Sequence, residues 1–312
     1  MSPSPSARSL RAFLLGKGPG AGPDSSLFKV ALAVFIGSMA FSVAGMLLLW
    51  GVPSSLAFFG PYLTDLVIAP TWAYMALLAL LPVLMYGPLV GWKRVALFAV
   101  LGCAIGGGSE LVGTSVGVPF GQYHYGPWLG PKILGDVPYF IPPSWFAMSL
   151  VSLDLAQRVT GRSAQTRWRR ILLATTFMVL WDVSLDPAMN GAGATFGSGA
   201  VVGGIDRFWS YPPVGPFHFY YGMPISNWLG WFVVTFLIEC AYEFVAGGLP
   251  VESRWAPPVY LLNGLFPIVL CAMYGLAVPA LVGLAATALP LGVVFVAQRR
   301  TAGQRAQPAA SV

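Results

Sequence analysis

The sequence predicts an all-α, polytopic integral membrane protein of about eight transmembrane helices, on three observations. Of 312 residues, 56% are hydrophobic and only 9% charged, and the mean hydropathy of +0.72 lies far outside the range of a soluble domain. Uninterrupted apolar windows of about 20 residues, the length that crosses a bilayer, recur along the chain. Lys and Arg gather at alternate ends of those windows, the pattern of a chain threaded back and forth through a membrane.

Residues 1–27 are rich in Ser, Pro and Gly and lack the apolar core of a signal peptide, so they read as a disordered cytoplasmic tail. The helical membrane domain then covers 28–298, with spans at 28–50, 66–90, 93–113, 142–160, 169–189, 224–246, 256–276 and 279–298. Residues 299–312 read as a second disordered tail. Arg8, Arg11, Lys17 and Lys29 precede the first span, and Lys93 and Arg94 join the second to the third. Arg158, Arg162, Arg167, Arg169 and Arg170 join the fourth to the fifth, Arg254 separates the sixth from the seventh, and Arg299, Arg300 and Arg305 follow the last. Only Lys132 and Arg207 fall on the other side. The expectation is a multi-pass protein of the cell membrane with both termini cytoplasmic. The net charge of +6 therefore reflects topology and not a nucleic-acid partner. Cys103, Cys240 and Cys271 lie singly in apolar spans and form no disulfide framework.

Two loops on the face away from the basic residues are unlike ordinary connections. Glu110 to Met148 carries Phe120, Tyr123, His124, Tyr125, Trp128, Tyr139, Phe140 and Trp145, and a second such stretch runs from Asp182 to Trp231. Amphipathic rings in such density suit a membrane interface or an apolar ligand. The expectation is that the two stretches build one apolar pocket lined with acids.

Carboxylates inside a bilayer are costly enough to count as functional candidates. Glu110 lies near the end of the third span, after Gly106, Gly107 and Gly108, which would let a neighbouring helix come close. Asp182 and Asp186 stand four residues apart in WDVSLDPAMN, on one helical face, and two carboxylates so placed are not expected both to ionise. A retained proton is what a general acid needs, so Asp182 is the first candidate, with Asp186 and Glu110 as partners. Bland roles compete: Asp186 before Pro187 at a helix end, Glu110 as a structural partner for His124, Asn227 or a loop amide, Asp154 as an interhelical anchor, and Glu239 and Glu243 as partners of the basic loops. His124 and His218 show no HxxxH, HxxE or HExxH spacing, so no metal is expected. The GPGAGPD run from Gly18 has neither a preceding strand nor a following GK[ST], and is no nucleotide loop.

The ordered set of Glu110, PFGQYHYG (119–126), LGPKILGDVPYFIPPSWFAM (129–148), WDVSLDPAM (181–189) and YYGMPISNWLGW (220–231) resembles the bacterial and archaeal carotenoid 1,2-hydratases of the CruF type, which include the bisanhydrobacterioruberin hydratases. The glycine-rich link from Gly191 to Phe219 is longer than usual for that family. The resemblance implies addition of water to the terminal isoprenoid double bond of lycopene, a monocyclic carotene or bisanhydrobacterioruberin, giving a tertiary alcohol without a cofactor. It implies as partners a carotenoid substrate, water, the lipid bilayer and other carotenoid-biosynthesis enzymes. The residues suit that chemistry: a buried carboxylic acid supplies the proton, and the rings of Tyr123, Trp128, Trp181 or Tyr221 stabilise the cation. His124, Trp145 and Asn227 complete the expected substrate pocket. A carotenoid or isoprenoid cyclase or isomerase, and a transporter or binder of apolar isoprenoids, are the rival readings.

Overall fold

The computed structural model describes residues 5–17, 22–23, 25–197, 204–212 and 218–306. Ser198 and most of the Gly18–Asp24 run lie outside them. The chain is all-α, with helices α1 (Pro5–Leu14), α2 (Ser26–Gly51), α3 (Leu56–Phe59), α4 (Leu63–Val90), α5 (Trp92–Val116), α6 (Ile141–Thr160), α7 (Arg167–Met189), α8 (Ala192–Phe196), α9 (Ile225–Ala246), α10 (Ala256–Met273) and α11 (Ala277–Ala306). Each of the eight expected windows holds one long helix.

Among the described residues seven helical stretches are long and apolar enough to cross a membrane, and the helix of the remaining window, α6, is long enough but not among them. The reason lies in its position. α6 runs through the middle of the bundle, against α4, α5, α7, α9, α10 and α11. A helix that meets protein all round can carry Ser149, Ser152, Asp154 and Gln157, all buried, where a lipid-facing one cannot. At the other extreme α2 packs on α4 and touches α10 and the short turn Pro53–Ser55 after it, and leaves Val30, Val34, Phe41 and Leu48 exposed to the surroundings. Such a belt of apolar side chains belongs against lipid.

The tails differ from expectation. Residues Pro5–Leu14 are helical and Phe13 is buried against Phe295, so part of the expected disordered tail is anchored on α11 by an aromatic contact. The last helix likewise continues to Ala306, through the segment expected to be disordered, because nothing in QRRTAGQRA (298–306) stops a helix as proline would.

One end of the bundle is held by arginines. Arg170 makes a two-pronged contact with Glu243 at 2.5 and 2.7 Å and donates to the Gly161 carbonyl. Arg94 caps the end of α9 through the Ala246 carbonyl, and Arg158 pairs with Asp154 at 2.6 Å. Asp154 also accepts from Tyr86 of α4 and from the Ser253 amide, which makes it an interhelical anchor. Glu243 thus meets the basic loops as expected. Glu239 does not: its carboxylate is buried and meets no hydrogen-bond donor among the described residues, because Arg170 is already taken up by Glu243 one turn away. Replacing Glu243 with alanine strands a guanidinium that is only 1% exposed. The expected cost is about 3–5 kcal/mol, read from thermal unfolding in detergent.

Candidate active site

At the opposite end, the connections after α5 and α7 are stitched together. Strands β1 (His124–Tyr125) and β4 (Trp209–Ser210) pair antiparallel; the other short pairs are β2 (Lys132–Ile133) with β3 (Val137–Pro138) and β5 (His218–Tyr220) with β6 (Met223–Pro224). The Phe208 amide donates to the Met189 carbonyl at the end of α7, and the Gly126 amide to the Phe208 carbonyl. The two aromatic stretches therefore meet, as expected, and close one end of a cavity of about 440 Å³, a ligand-sized volume.

Glu110 stands at the cavity wall on the last turns of α5. It accepts hydrogen bonds from the phenols of Tyr123 and Tyr125 (2.8 Å for the latter) and from the Trp145 indole at 2.9 Å. Burial, then the neighbouring Glu110 carboxylate, pushes both phenols well above their ordinary pKa, so they remain protonated donors. Trp145 reaches Glu110 because α5 and α6 pack in close contact over glycines. A Cβ at Gly106 would stand 2.4 Å from the Trp145 ring, and one at Gly107 2.7 Å from Pro142. Gly108 faces open space. Gly106→Val should therefore destabilise the protein by about 1–3 kcal/mol and impair activity, whereas Gly108→Val should be neutral in thermal unfolding.

Asp186 also lines the cavity. It accepts from the Asn227 amide at the start of α9, and Asn227 in turn accepts from the Tyr211 phenol at 2.8 Å. Asp186 stands in the last turn of α7, as expected of the Asp-Pro pair, but its side chain turns to the cavity and to Asn227 and not to the backbone of the helix end. Asp182 lies one turn earlier, is fully buried and does not line the cavity. Neither of its oxygens meets a hydrogen-bond partner among the described residues, and Asp186 stands four residues on, on the same face of α7.

The aromatic wall is continuous. Trp145 stacks on Trp231 at 4.3 Å between ring centres, Trp181 meets Trp231 edge-on at 6.1 Å, and Tyr123 packs on Tyr211 at 5.5 Å. Of the residues singled out from sequence, Glu110, Asp186, Tyr123, Trp145, Trp181 and Asn227 line the cavity. His124, Trp128 and Tyr221 do not. His124 is exposed and bonded to Ser210, since the strand alternation that turns Tyr123 and Tyr125 inward turns it outward. The Trp128 indole is engaged by the Gly204 carbonyl, and Tyr221 packs on Phe196 and Tyr220. Sequence reasoning places Tyr125 only among the loop rings, and leaves Tyr211 and Trp231 unassigned within the second stretch; all three are wall residues. Two had a signal: Tyr125 is two residues from Tyr123 in extended chain, and Trp231 is one helical turn from Asn227. Tyr211 had none.

Bundle and cavity together define a polytopic helical membrane protein that presents buried carboxyls to an apolar, aromatic-walled cavity. The chain belongs to the family of carotenoid biosynthesis proteins, whose match covers residues 68–290 and so takes in Glu110, Asp182, Asp186 and Asn227. It is 31% identical over 163 residues to the bisanhydrobacterioruberin hydratase of Haloarcula japonica, an alignment covering 52% of this chain and 50% of that protein. The chain thus spans about half the length of the curated relative it matches. No solved structure matches it. The family resemblance read from the motifs is borne out.

Proposed function

We propose that this protein is a carotenoid hydratase that adds water across the terminal C-1,2 double bond of an acyclic carotenoid end group, giving a tertiary alcohol. The observation that carries the reading is the placement of Asp186 at the cavity surface, one helical turn from the buried, donorless Asp182 behind it. Two carboxyls so near each other in a buried site do not both ionise, so the pair retains a proton, and Asp186 is the member that can deliver it. This moves the donor from Asp182, the first candidate from sequence, to its neighbour. The named hydratase relative and the family support the substrate class.

In the proposed reaction Asp186 protonates the less substituted alkene carbon, forming a C–H bond and leaving a tertiary cation on the adjacent carbon. Water attacks the cation, and its surplus proton returns to the aspartate pair. The balance is one alkene plus one water giving one alcohol, with no change of oxidation state overall. Glu110 has the opposite role. Three donors and no acceptor surround it among the described residues, an environment matched to a carboxylate. Its fixed negative charge, with the faces of Trp145, Trp181 and Trp231, stabilises the cation.

Expression in a host that accumulates lycopene tests the proposal. A gain of one or two waters in the mass of the extracted pigment is expected. An unchanged mass with a changed spectrum would indicate a cyclase or isomerase, and unchanged pigment a transporter or binder.

The orientation belongs to the same proposal. The arginine-held end, with Arg94, Arg158, Arg162 and Arg170, lies opposite the cavity's aromatic end, which supports cytoplasmic termini and a cavity toward the outer leaflet. A single cysteine at the exposed Gln122 should react with an impermeant thiol reagent in intact cells. Labelling only after lysis would reverse the orientation.

A further inference from the structure

The cavity is much longer than the acid site. Its wall on α4 is a stripe of Leu63, Leu66, Val67, Pro70, Tyr74 and Leu78, a spacing of three and four residues that keeps one helical face. At 1.5 Å per residue this stripe extends for about 22 Å. The facing wall is the second half of α2, where Phe41, Gly45, Leu48 and Leu49 recur at the same spacing. Gly45 is at the centre of that face, and a Cβ there would meet nothing within 4 Å. Phe41 and Leu48 are 50% and 42% exposed, on the bundle's peripheral helix. The elongated arm thus lies between the carboxyls and the lipid-facing side of the molecule.

We infer that this arm between α2 and α4 is the binding site for the linear body of a long apolar isoprenoid, which slides in sideways from the bilayer until its end group meets Asp186 and Glu110. Its walls are aliphatic and aromatic but for the hydroxyls of Ser42, bonded to the Ser38 carbonyl, Tyr74, bonded to Asn263, and Thr71, so a polar ligand would lose water there with little in return. A linear hydrocarbon loses nothing there, and its length is matched by a groove of several helical turns. Gly45 leaves open space on this wall, which a bulky side chain at that position would fill. The inference rests on the hydration proposal for what happens to the end group, but the binding of the chain body stands apart from it.

The test is Gly45→Trp, with Gly37→Trp as the control. Gly37 lies on the same helix, also meets open space, and does not line the cavity. Two readouts are needed. The first is lycopene retained through purification in detergent, measured as visible absorbance per protein. The second is hydration of lycopene and of a ten-carbon acyclic isoprenoid bearing the same terminal alkene. Gly45→Trp should lower lycopene retention and lycopene hydration roughly tenfold or more, and leave the ten-carbon substrate within about twofold of the parent, because only the long chain needs the blocked passage. Gly37→Trp should match the parent throughout. Unchanged lycopene retention in Gly45→Trp, or equal loss with both substrates, would overturn the assignment. Should the parent protein retain lycopene in a Gly45-dependent way yet hydrate neither substrate, the groove would stand and the hydration proposal would fall.

Discussion

Asp186→Asn should lower carotenoid hydration by about 10²–10⁴-fold, the range that general-acid catalysis contributes, while the protein remains folded in the membrane. The amide keeps the shape of the side chain but has no proton acidic enough to give to an alkene. Asp182→Asn should lose activity on a similar scale although Asp182 does not touch the cavity. Its new amide would donate to Asp186 and hold that residue in its ionised form, the wrong form for an acid. The double variant should be little worse than either single one, since the two carboxyls act as one proton-holding unit. Near-normal turnover in Asp182→Asn would show that Asp186 is an acid without its partner. Near-normal turnover in Asp186→Asn would remove the aspartate pair from the chemistry. Both are read from pigment turnover in membranes normalised to protein amount.

Glu110→Gln is expected to cost about 10²–10³-fold, comparable to removing one preorganised electrostatic group from an active site. Glutamine replaces one acceptor oxygen with an amide that itself donates, yet the site offers it three donors, from Tyr123, Tyr125 and Trp145. At least one of those hydrogen bonds must be lost, together with the negative charge that faces the cation. Tyr125→Phe removes one donor and leaves the charge, so its effect should be several times smaller. Equal losses in the two variants, measured as turnover against folded protein, would mean that Glu110 serves only to anchor the loop.

The fold was legible because a bilayer imposes so few solutions. Windows such as 169–189 and 224–246 coincide with α7 and α9 almost to the residue, since helix length, apolarity and the arginine-rich boundaries all mark the same limits. α6 was legible as a helix but not as the central one, because burial against protein leaves no mark on composition beyond a tolerance for Ser149, Ser152 and Asp154. In the site, the intramembrane acids announced themselves by their cost. The inward and outward directions of loop rings did not. His124 and Tyr125 are adjacent, and only the pairing of His124 with Ser210 and of Tyr125 with Trp209 decides which one faces the cavity. The α2–α4 arm was invisible for a further reason. Gly45, Leu66 and Pro70 are ordinary residues in apolar spans, and they acquire a role only when two helices set their faces apart.

Proton transfer to carbon followed by capture of water is the centre of this account, and isotope labelling of the product tests it most directly. Purified protein in detergent, supplied with lycopene in deuterated, heavy-oxygen water, should give a tertiary alcohol with one non-exchangeable deuterium on the carbon beside the alcohol carbon and the heavy oxygen in its hydroxyl. A hydroxyl oxygen drawn from dioxygen, or an alcohol with no deuterium on that neighbouring carbon, would contradict the role given to Asp186 and Asp182.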